Sequence, residues 1–153
     1  MIAVIQRVNN ATVYADGEFS GDIGRGLYIL LGVAKEDTEE DARLLAEKIS
    51  KLRIFSDENG KMNLSVMDID GEIMVVSNFT LNANYSHGNR PDYFASAAPT
   101  EANALYEHFK ELMRTKTKKL ASGVFGADMR TEMSTDGPVT IVMDSAVLKG
   151  GRK

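Results

Sequence analysis

The stretch Ile73–Leu81, with the sequence IMVVSNFTL, decides the fold because a strongly apolar run passes directly into polar residues. The apolar run predicts a buried strand, whose side chains alternate between the two faces of a sheet. Ser77 and Phe79 then share one face, and Asn78 and Thr80 share the other. We expect Phe79 to fill the core and Thr80 to project near the strand's end, where ligand sites gather. A strand that frays into a loop would give the same pattern.

A second segment, Thr135–Thr140 with the sequence TDGPVT, places Gly137 and Pro138 just before the apolar run Val139–Met143. Proline has no N–H to donate to a sheet, so it marks an edge or the entry to a strand. One interpretation is an ordinary turn. The other is a cis bond that aims backbone carbonyls outward and forms a rigid wall suited to rejecting one chirality of ligand.

The composition indicates a globular protein of one domain. The chain has 153 residues, of which 43% are hydrophobic and 26% charged. No apolar run approaches the roughly 20 residues that span a membrane, and no secretory signal is recognisable, so we expect a cytoplasmic protein with no membrane partner. The absence of cysteine excludes disulfides and thiolate metal sites.

The charge distribution argues against a broad nucleic-acid-binding face, because phosphate contacts need many cations and the net charge is −4. One segment, Lys110–Lys119, holds five basic residues against the single acid Glu111, and the tail adds Lys149, Arg152 and Lys153. This basic patch suits either the end of an RNA or a solvated helix terminus.

The periodicity predicts strands at both ends of the chain and two helices between them. A turn at Asp16-Gly17 predicts a hairpin, and Asn82–Pro99 reads as a long polar loop. The predicted strands are Ile2–Val8, Ala11–Ala15, Leu27–Ala34, Glu72–Leu81, Leu120–Phe125, Met129–Met133 and Val139–Met143, and the predicted helices are Thr38–Leu52 and Thr100–Thr117. We expect a single layered domain over residues 1–145 and a flexible basic tail over residues 146–153.

Familiar catalytic clusters are missing from the sequence. The chain has two histidines, His87 and His108, and neither accompanies a serine triad or a set of metal ligands. No nucleotide-binding glycine fingerprint occurs. We therefore expect no metal and no cofactor, and an enzyme built on this chain would act by positioning and backbone electrostatics.

Several segments carry a family resemblance. Besides the SNFTL and TDGPVT segments, the chain contains MIAVIQRV at its start, RIFSD at Arg53–Asp57, GKMNL at Gly60–Leu64 and FGADM at Phe125–Met129. Together they resemble the D-aminoacyl-tRNA deacylases. Asn78 stands where that family usually has Gln, and Thr135 stands where it usually has Asn. Both departures concern side-chain contacts rather than the reaction class.

The resemblance implies a mixed α/β fold, a three-layer β-β-α sandwich with barrel-like antiparallel sheets and two main helices. It implies hydrolysis of the ester of D-aminoacyl-tRNA, and of glycyl-tRNA mischarged on tRNA-Ala, with rejection of L-aminoacyl-tRNA. The partners implied are the 3′ terminal adenosine end of aminoacyl-tRNA and a second copy of the chain, in a homodimer whose active sites lie at the interface.

The resemblance also implies the roles of individual residues. Gly137 and Pro138, in cis, would reach from one subunit into the site of the other and exclude L-amino acids, with Arg7 orienting them. Phe125 and Met129 would hold the terminal adenine, as aromatic residues hold unstacked bases.

The catalytic segment implied by the resemblance is Ser77, Asn78, Phe79 and Thr80. Thr80 matches the family's active-site threonine. With no base near it in the sequence to activate it, we favour a positioning role, with backbone N–H groups around Phe79 and Thr80 as an oxyanion hole and a water oriented by the RNA's ribose hydroxyl.

Two rival functions use the same features. A non-catalytic dimer would bind RNA ends or a partner protein through the aromatic and basic residues without turnover. A general small-ester hydrolase using Thr80 would cleave esters that lack tRNA.

Overall fold

The computed structural model describes residues 1–150. Its strands are β1 (Ile2–Ala15), β2 (Glu18–Ile23), β3 (Gly26–Gly32), β4 (Phe55–Ser56), β5 (Met62–Leu64), β6 (Glu72–Ser77), β7 (Leu120–Ser122) and β8 (Met129–Asp144). Its helices are α1 (Glu39–Lys51), α2 (Pro99–Arg114) and the short α3 (Ser145–Leu148), with a 3₁₀ turn at Phe79–Asn82. None of these helices has the length and apolar content needed to cross a membrane.

The sheet is organised around β1, the long first strand. The N-terminal half of β1 lies between β3 and β8, and its C-terminal half lies between β2 and β8. The sheet continues from β3 through β6 to β7, and the Ser20 hydroxyl of β2 donates to the Ser122 carbonyl of β7 over 2.8 Å. The sheet is therefore nearly closed, which confirms the mixed α/β, barrel-like fold.

Two of the strand pairings are parallel. β3 pairs with β6, and β6 pairs with β7, in parallel register. A parallel connection needs a crossover, and α1 and α2 lie within the two crossovers. The sheet is thus mixed rather than purely antiparallel.

The two predicted helices are confirmed and cover one face of the sheet. Thr38 caps α1, because its backbone N–H donates to the Asp41 carboxylate over 2.8 Å and completes a capping box. A core of fully buried side chains lies between helices and sheet, including Ile5, Ile29, Leu45, Ile49, Phe55, Ile73, Phe109 and Met113. A second cluster, which includes Val8, Val13, Tyr28, Met74 and Val76, lies on the opposite face.

The expectation that Phe79 fills the core is wrong. Strand β6 ends at Ser77, a 3₁₀ turn begins at Phe79, and the Phe79 side chain is 59% exposed. The Asn78 side chain accepts a hydrogen bond from the Thr80 N–H over 3.2 Å. Such side-chain-to-backbone bonds compete with strand pairing, so the chain turns before the alternation reaches Phe79.

The separate strands predicted at Met129–Met133 and Val139–Met143 form one strand, β8. It follows β1 in antiparallel register along nearly its whole length. An irregularity between Gln6 and Val8 interrupts the register opposite the Gly137-Pro138 segment, and a second lies between Val8 and Asn10. The segment therefore interrupts the pairing without ending the strand.

Part of the tail that we expected to be flexible is helical. Ser145–Leu148 form α3, whose Ser145 hydroxyl donates to the Asp41 carboxylate over 2.6 Å. Lys149 Nζ donates to the same carboxylate over 3.0 Å. These bonds attach residues 145–149 to α1, whereas residues 151–153 of the predicted tail lie outside the described residues.

The chain's first residue joins this arrangement. The ammonium group of Met1 donates to Asp37 Oδ1 over 2.7 Å and to Ser145 Oγ over 2.8 Å. We call Met1, Asp37, Asp41, Ser145 and Lys149 the N-terminal cluster.

Candidate active site

A cavity of about 810 Å³ opens where β3 and β6 end, and we call it the β6 pocket. Five of the predicted site residues line it, namely Ser77, Asn78, Phe79, Phe125 and Met129. They come from two distant parts of the chain, and the parallel register of β3, β6 and β7 brings those parts to the same edge of the sheet. Thr80, Arg7, Gly137 and Pro138 are not among its lining residues.

Thr80 lies beside the pocket and is exposed. Its hydroxyl donates to Asn78 Oδ1, the same oxygen that accepts the Thr80 N–H over 3.2 Å. An amide oxygen accepts hydrogen bonds but does not take up a proton at neutral pH. The contact of Asn78 therefore orients Thr80 without activating it as a nucleophile.

Phe79 presents both backbone and ring at the pocket rim. Its carbonyl accepts a hydrogen bond from the Ser96 hydroxyl over 3.1 Å, and its ring meets that of Tyr93 edge-on at 5.0 Å. Among residues 1–150 no oxygen accepts the Phe79 N–H. Of the two backbone donors expected for an oxyanion hole, the Phe79 N–H is free and the Thr80 N–H is bonded to Asn78.

Tyr93 and Ser96 belong to the long loop, and sequence reasoning did not single them out. They line the pocket together with Ala97 and Pro99. The length of the loop was the available signal, because long loops in compact domains are usually functional. The loop supplies the wall of the pocket that faces the end of β6.

Phe125 lies in the turn between β7 and β8, Met129 is the first residue of β8, and both are half-buried. The Phe125 ring packs at a tilt against Tyr106, 6.0 Å between centroids. A Cβ at Gly123 would lie 2.2 Å from Met129 Sδ, so the methionine occupies space that only a glycine leaves open. These contacts give Phe125 and Met129 defined positions in the pocket wall.

The residues between 1 and 150 that line the β6 pocket carry no formal charge. They include no carboxylate, histidine, lysine or arginine, and their titratable side chains are Tyr28, Tyr93 and Tyr106. Burial raises the pKa of Tyr28 and that of Tyr106 above their usual value, so both hydroxyls remain protonated at neutral pH. No group of acidic or histidine side chains within residues 1–150 could hold a metal ion.

The Gly137-Pro138 segment is exposed on the surface, and its peptide bond is cis. Arg7 holds the residue before it. Arg7 Nε donates to the Asp136 carbonyl over 3.2 Å and lies 3.1 Å from Asp136 Oδ2, while Arg7 Nη1 donates to the Ile54 carbonyl over 2.7 Å. Arg7 itself is only 9% exposed, so a buried side chain fixes the residue that precedes the exposed Gly137-Pro138 segment.

The family model described as D-Tyr-tRNA(Tyr) deacylase matches residues 4–144. This chain belongs to that family. It is 52% identical over 145 residues to a D-aminoacyl-tRNA deacylase of Anaeromyxobacter dehalogenans, covering 95% of this chain and 97% of that protein. It is 51% identical over 148 residues to one of Thermotoga petrophila, covering 97% and 99% respectively.

Two solved structures share this fold. A structure described as the c-Myc DNA Unwinding Element Binding Protein superposes with a TM-score of 0.88 at 41% identity, covering 94% of this chain and 98% of that one. A probable eukaryotic D-amino acid tRNA deacylase superposes with a TM-score of 0.84 at 15% identity, over the same shares of the two chains. The second likeness concerns the fold alone.

Proposed function

We propose that this protein hydrolyses the ester that joins a D-aminoacyl group to the 3′ terminal adenosine of tRNA, releasing the free D-amino acid and the tRNA. The observation that carries the proposal is the β6 pocket, which Ser77, Asn78 and Phe79 line together with Phe125 and Met129. These are the positions at which the chain resembles the deacylases, and the chain belongs to that family. The reaction would remove wrongly charged tRNA from the cytoplasmic pool used in translation.

The terminal adenosine occupies the part of the pocket bounded by Phe125 and Met129. An aromatic ring and a polarisable thioether suit the flat face of a base. The positioning of Phe125 by Tyr106 and of Met129 by Gly123 keeps this surface in place before the substrate arrives. The ester then lies towards the rim formed by Phe79.

The chemical step needs no charged protein group. A water molecule attacks the ester carbonyl carbon, the bond from that carbon to the ribose oxygen breaks, and the ribose oxygen takes up the proton that the water loses. The free Phe79 N–H donates to the oxygen on which negative charge develops, and the substrate's other ribose hydroxyl orients the water. Thr80, held by Asn78, positions the substrate and does not attack it.

Selection between D- and L-amino acids requires a second copy of the chain. The Gly137-Pro138 segment is exposed and does not line the pocket of its own chain. Within residues 1–150, β8 pairs only with β1, so its other edge is available to a partner. In the homodimer that we propose, each subunit inserts this segment into the other's site, and its backbone blocks the position of an L side chain.

Glycine has no side chain to exclude, so the same wall admits it. We therefore propose that glycyl-tRNA, including tRNA-Ala mischarged with glycine, is a second substrate. Its hydrolysis would be measured beside that of L-alanyl-tRNA, which the wall excludes.

The decisive experiment compares matched D-tyrosyl-tRNA and L-tyrosyl-tRNA at substoichiometric protein. We expect repeated turnover of the D-ester at protein levels that leave the L-ester intact. Binding without turnover would identify a non-catalytic RNA-end binder, and equal turnover of simple D-tyrosine esters would identify a general esterase. Light scattering should give twice 16.8 kDa, and a fully active monomer would refute the shared site.

A further inference from the structure

Two hydroxyl groups stand together in the wall of the β6 pocket without a role in the mechanism above. Tyr28 of β3 and Thr131 of β8 both line the pocket, and their hydroxyl oxygens lie 2.9 Å apart in a hydrogen bond that either can donate. Tyr28 is only 4% exposed. Tyr28 belongs to the second core cluster, whose apolar members include Met74 and Val76.

The pair lies beside Met129. Residues two apart on a strand share a face, and the burial of β8 alternates accordingly, with Met129 and Thr131 half-buried and Arg130 exposed. Met129 is one of the two residues assigned to the terminal base. A base placed against Met129 therefore brings its edge towards the two hydroxyls.

The hydrogen-bonding capacity of the pair is only partly used. Two hydroxyls supply two donors and four acceptor sites, and their mutual bond consumes one of each. One O–H donor and several acceptor sites remain. Within residues 1–150 neither hydroxyl has a second partner. Burial raises the pKa of Tyr28, which keeps its hydroxyl a donor throughout the neutral range.

We propose that the Tyr28–Thr131 pair reads the polar edge of the terminal adenine. One O–H donates to a ring nitrogen, and a hydroxyl oxygen accepts from the exocyclic 6-amino group. This inference rests on the proposed function for the identity of the base. It assigns the two hydroxyls to base selection, beyond the base-face contacts of Phe125 and Met129. A polar edge that enters a pocket lined mainly by apolar side chains without partners is strongly disfavoured, so the pair also makes adenine preferable to a base lacking those groups.

The direct test measures binding of adenosine and of purine riboside, which lacks the 6-amino group, to the intact protein by calorimetry. We expect the unmodified protein to prefer adenosine by about tenfold, the effect of one well-made hydrogen bond. Tyr28→Phe keeps the ring and removes the hydroxyl, and it should bind both ligands about equally. In Thr131→Val, valine has nearly the same shape as threonine but no hydroxyl, so this variant should also have a reduced preference for adenosine.

Tyr14→Phe is the matched control, because Tyr14 packs against Phe19 and does not line the pocket. It should keep the full preference for adenosine. An unchanged preference in folded Tyr28→Phe or Thr131→Val, or equal binding of the two ligands by the unmodified protein, would overturn the inference. Circular dichroism verifies folding, and failure of one variant to fold leaves the other to decide.

Hydrolysis of D-tyrosyl-tRNA by the same proteins separates this inference from the proposed function. Tyr28→Phe should raise KM and leave kcat nearly unchanged, because the base is remote from the ester and is bound similarly in ground and transition states. D-selective hydrolysis with no base preference would refute only the hydroxyl pair. A base preference without hydrolysis would refute only the deacylase.

Discussion

The β6 pocket and the N-terminal cluster both join segments far apart in the chain, yet they use polar groups in opposite ways. In the cluster, four hydrogen bonds join the Met1 ammonium, two carboxylates, the Ser145 hydroxyl and Lys149 in one connected chain. In the part of the chain that the structure describes, the pocket contains no charged side chain, and the Phe79 N–H and part of the hydroxyl capacity of Tyr28 have no partner. The cluster therefore uses charged groups to join residues 1, 145 and 149 to the start of α1, whereas the pocket offers neutral groups with spare hydrogen bonds.

The cluster owes its stability to a carboxylate held in its ionised form. Burial by itself would raise the pKa of Asp41, but hydrogen bonds from Ser145, from the Thr38 backbone and from Lys149 outweigh it and lower the pKa to about 2. A carboxylate with a depressed pKa stabilises the folded state above its unfolded pKa and loses that contribution as the pH falls through the folded value.

The largest expected effect concerns Arg7, a charged residue outside both regions. Arg7→Lys replaces a planar fork with a single ammonium, which cannot bond Asp136 and Ile54 together. The Gly137 segment should then lose its fixed position, and kcat/KM for D-tyrosyl-tRNA should fall about 100-fold, as small displacements in active sites do. Arg43→Lys, on the exposed face of α1, is the control and should leave kcat/KM unchanged. Full activity in Arg7→Lys would show that the position of the Gly137 segment does not matter for the reaction.

Removing the aromatic ring of Phe125 from the pocket should have the second-largest effect. Phe125→Ala should raise KM for D-tyrosyl-tRNA roughly 5- to 150-fold, since a base–aromatic stack contributes about 1–3 kcal/mol, and kcat should change little. Phe19→Ala removes an exposed ring elsewhere and is the matched control. An unchanged KM would remove Phe125 from the adenine site and weaken the contrast between pocket and cluster.

The cluster should respond in stability and not in activity. Asp41→Asn should lower the free energy of unfolding at pH 7 by roughly 2 kcal/mol, the value of its pKa depression. The stability advantage of the unmodified protein over Asp41→Asn should disappear as the pH falls from about 4 to about 2. Chemical denaturation at several pH values measures both effects, with Glu40→Gln as the exposed control. A change of kcat in folded Asp41→Asn would show that the N-terminal cluster affects the chemistry of the β6 pocket.

The smallest effect should follow loss of the threonine hydroxyl. Thr80→Ala removes one positioning contact, so kcat should stay within about tenfold of the original value. A nucleophile's removal would instead cost about 10⁶-fold. Single-turnover kinetics on D-tyrosyl-tRNA separate these outcomes, and Thr115→Ala at the exposed end of α2 is the control. A trapped acyl-enzyme would show that a neutral pocket is not sufficient for the reaction.

Local patterns in the sequence determined the helices, the first hairpin and the family. Helix α1 begins after Thr38, within the predicted range Thr38–Leu52, and the Asp16-Gly17 turn lies between β1 and β2. These features depend on neighbouring residues, so periodicity and turn chemistry suffice to find them. The SNFTL and TDGPVT segments indicated the deacylase family, whose model matches most of the chain.

Only the tertiary structure decided which groups meet. Alternation along Ile73–Leu81 could not show that Asn78 turns the chain and exposes Phe79, because a bond between neighbouring side chain and backbone overrides the pattern. β8 remains one strand because β1 pairs along it, a long-range constraint that no local window contains. The Tyr28–Thr131 pair joins residues 103 positions apart, and each alone reads as an ordinary strand residue. The register of the sheet brings them together and gives this pocket its polar wall.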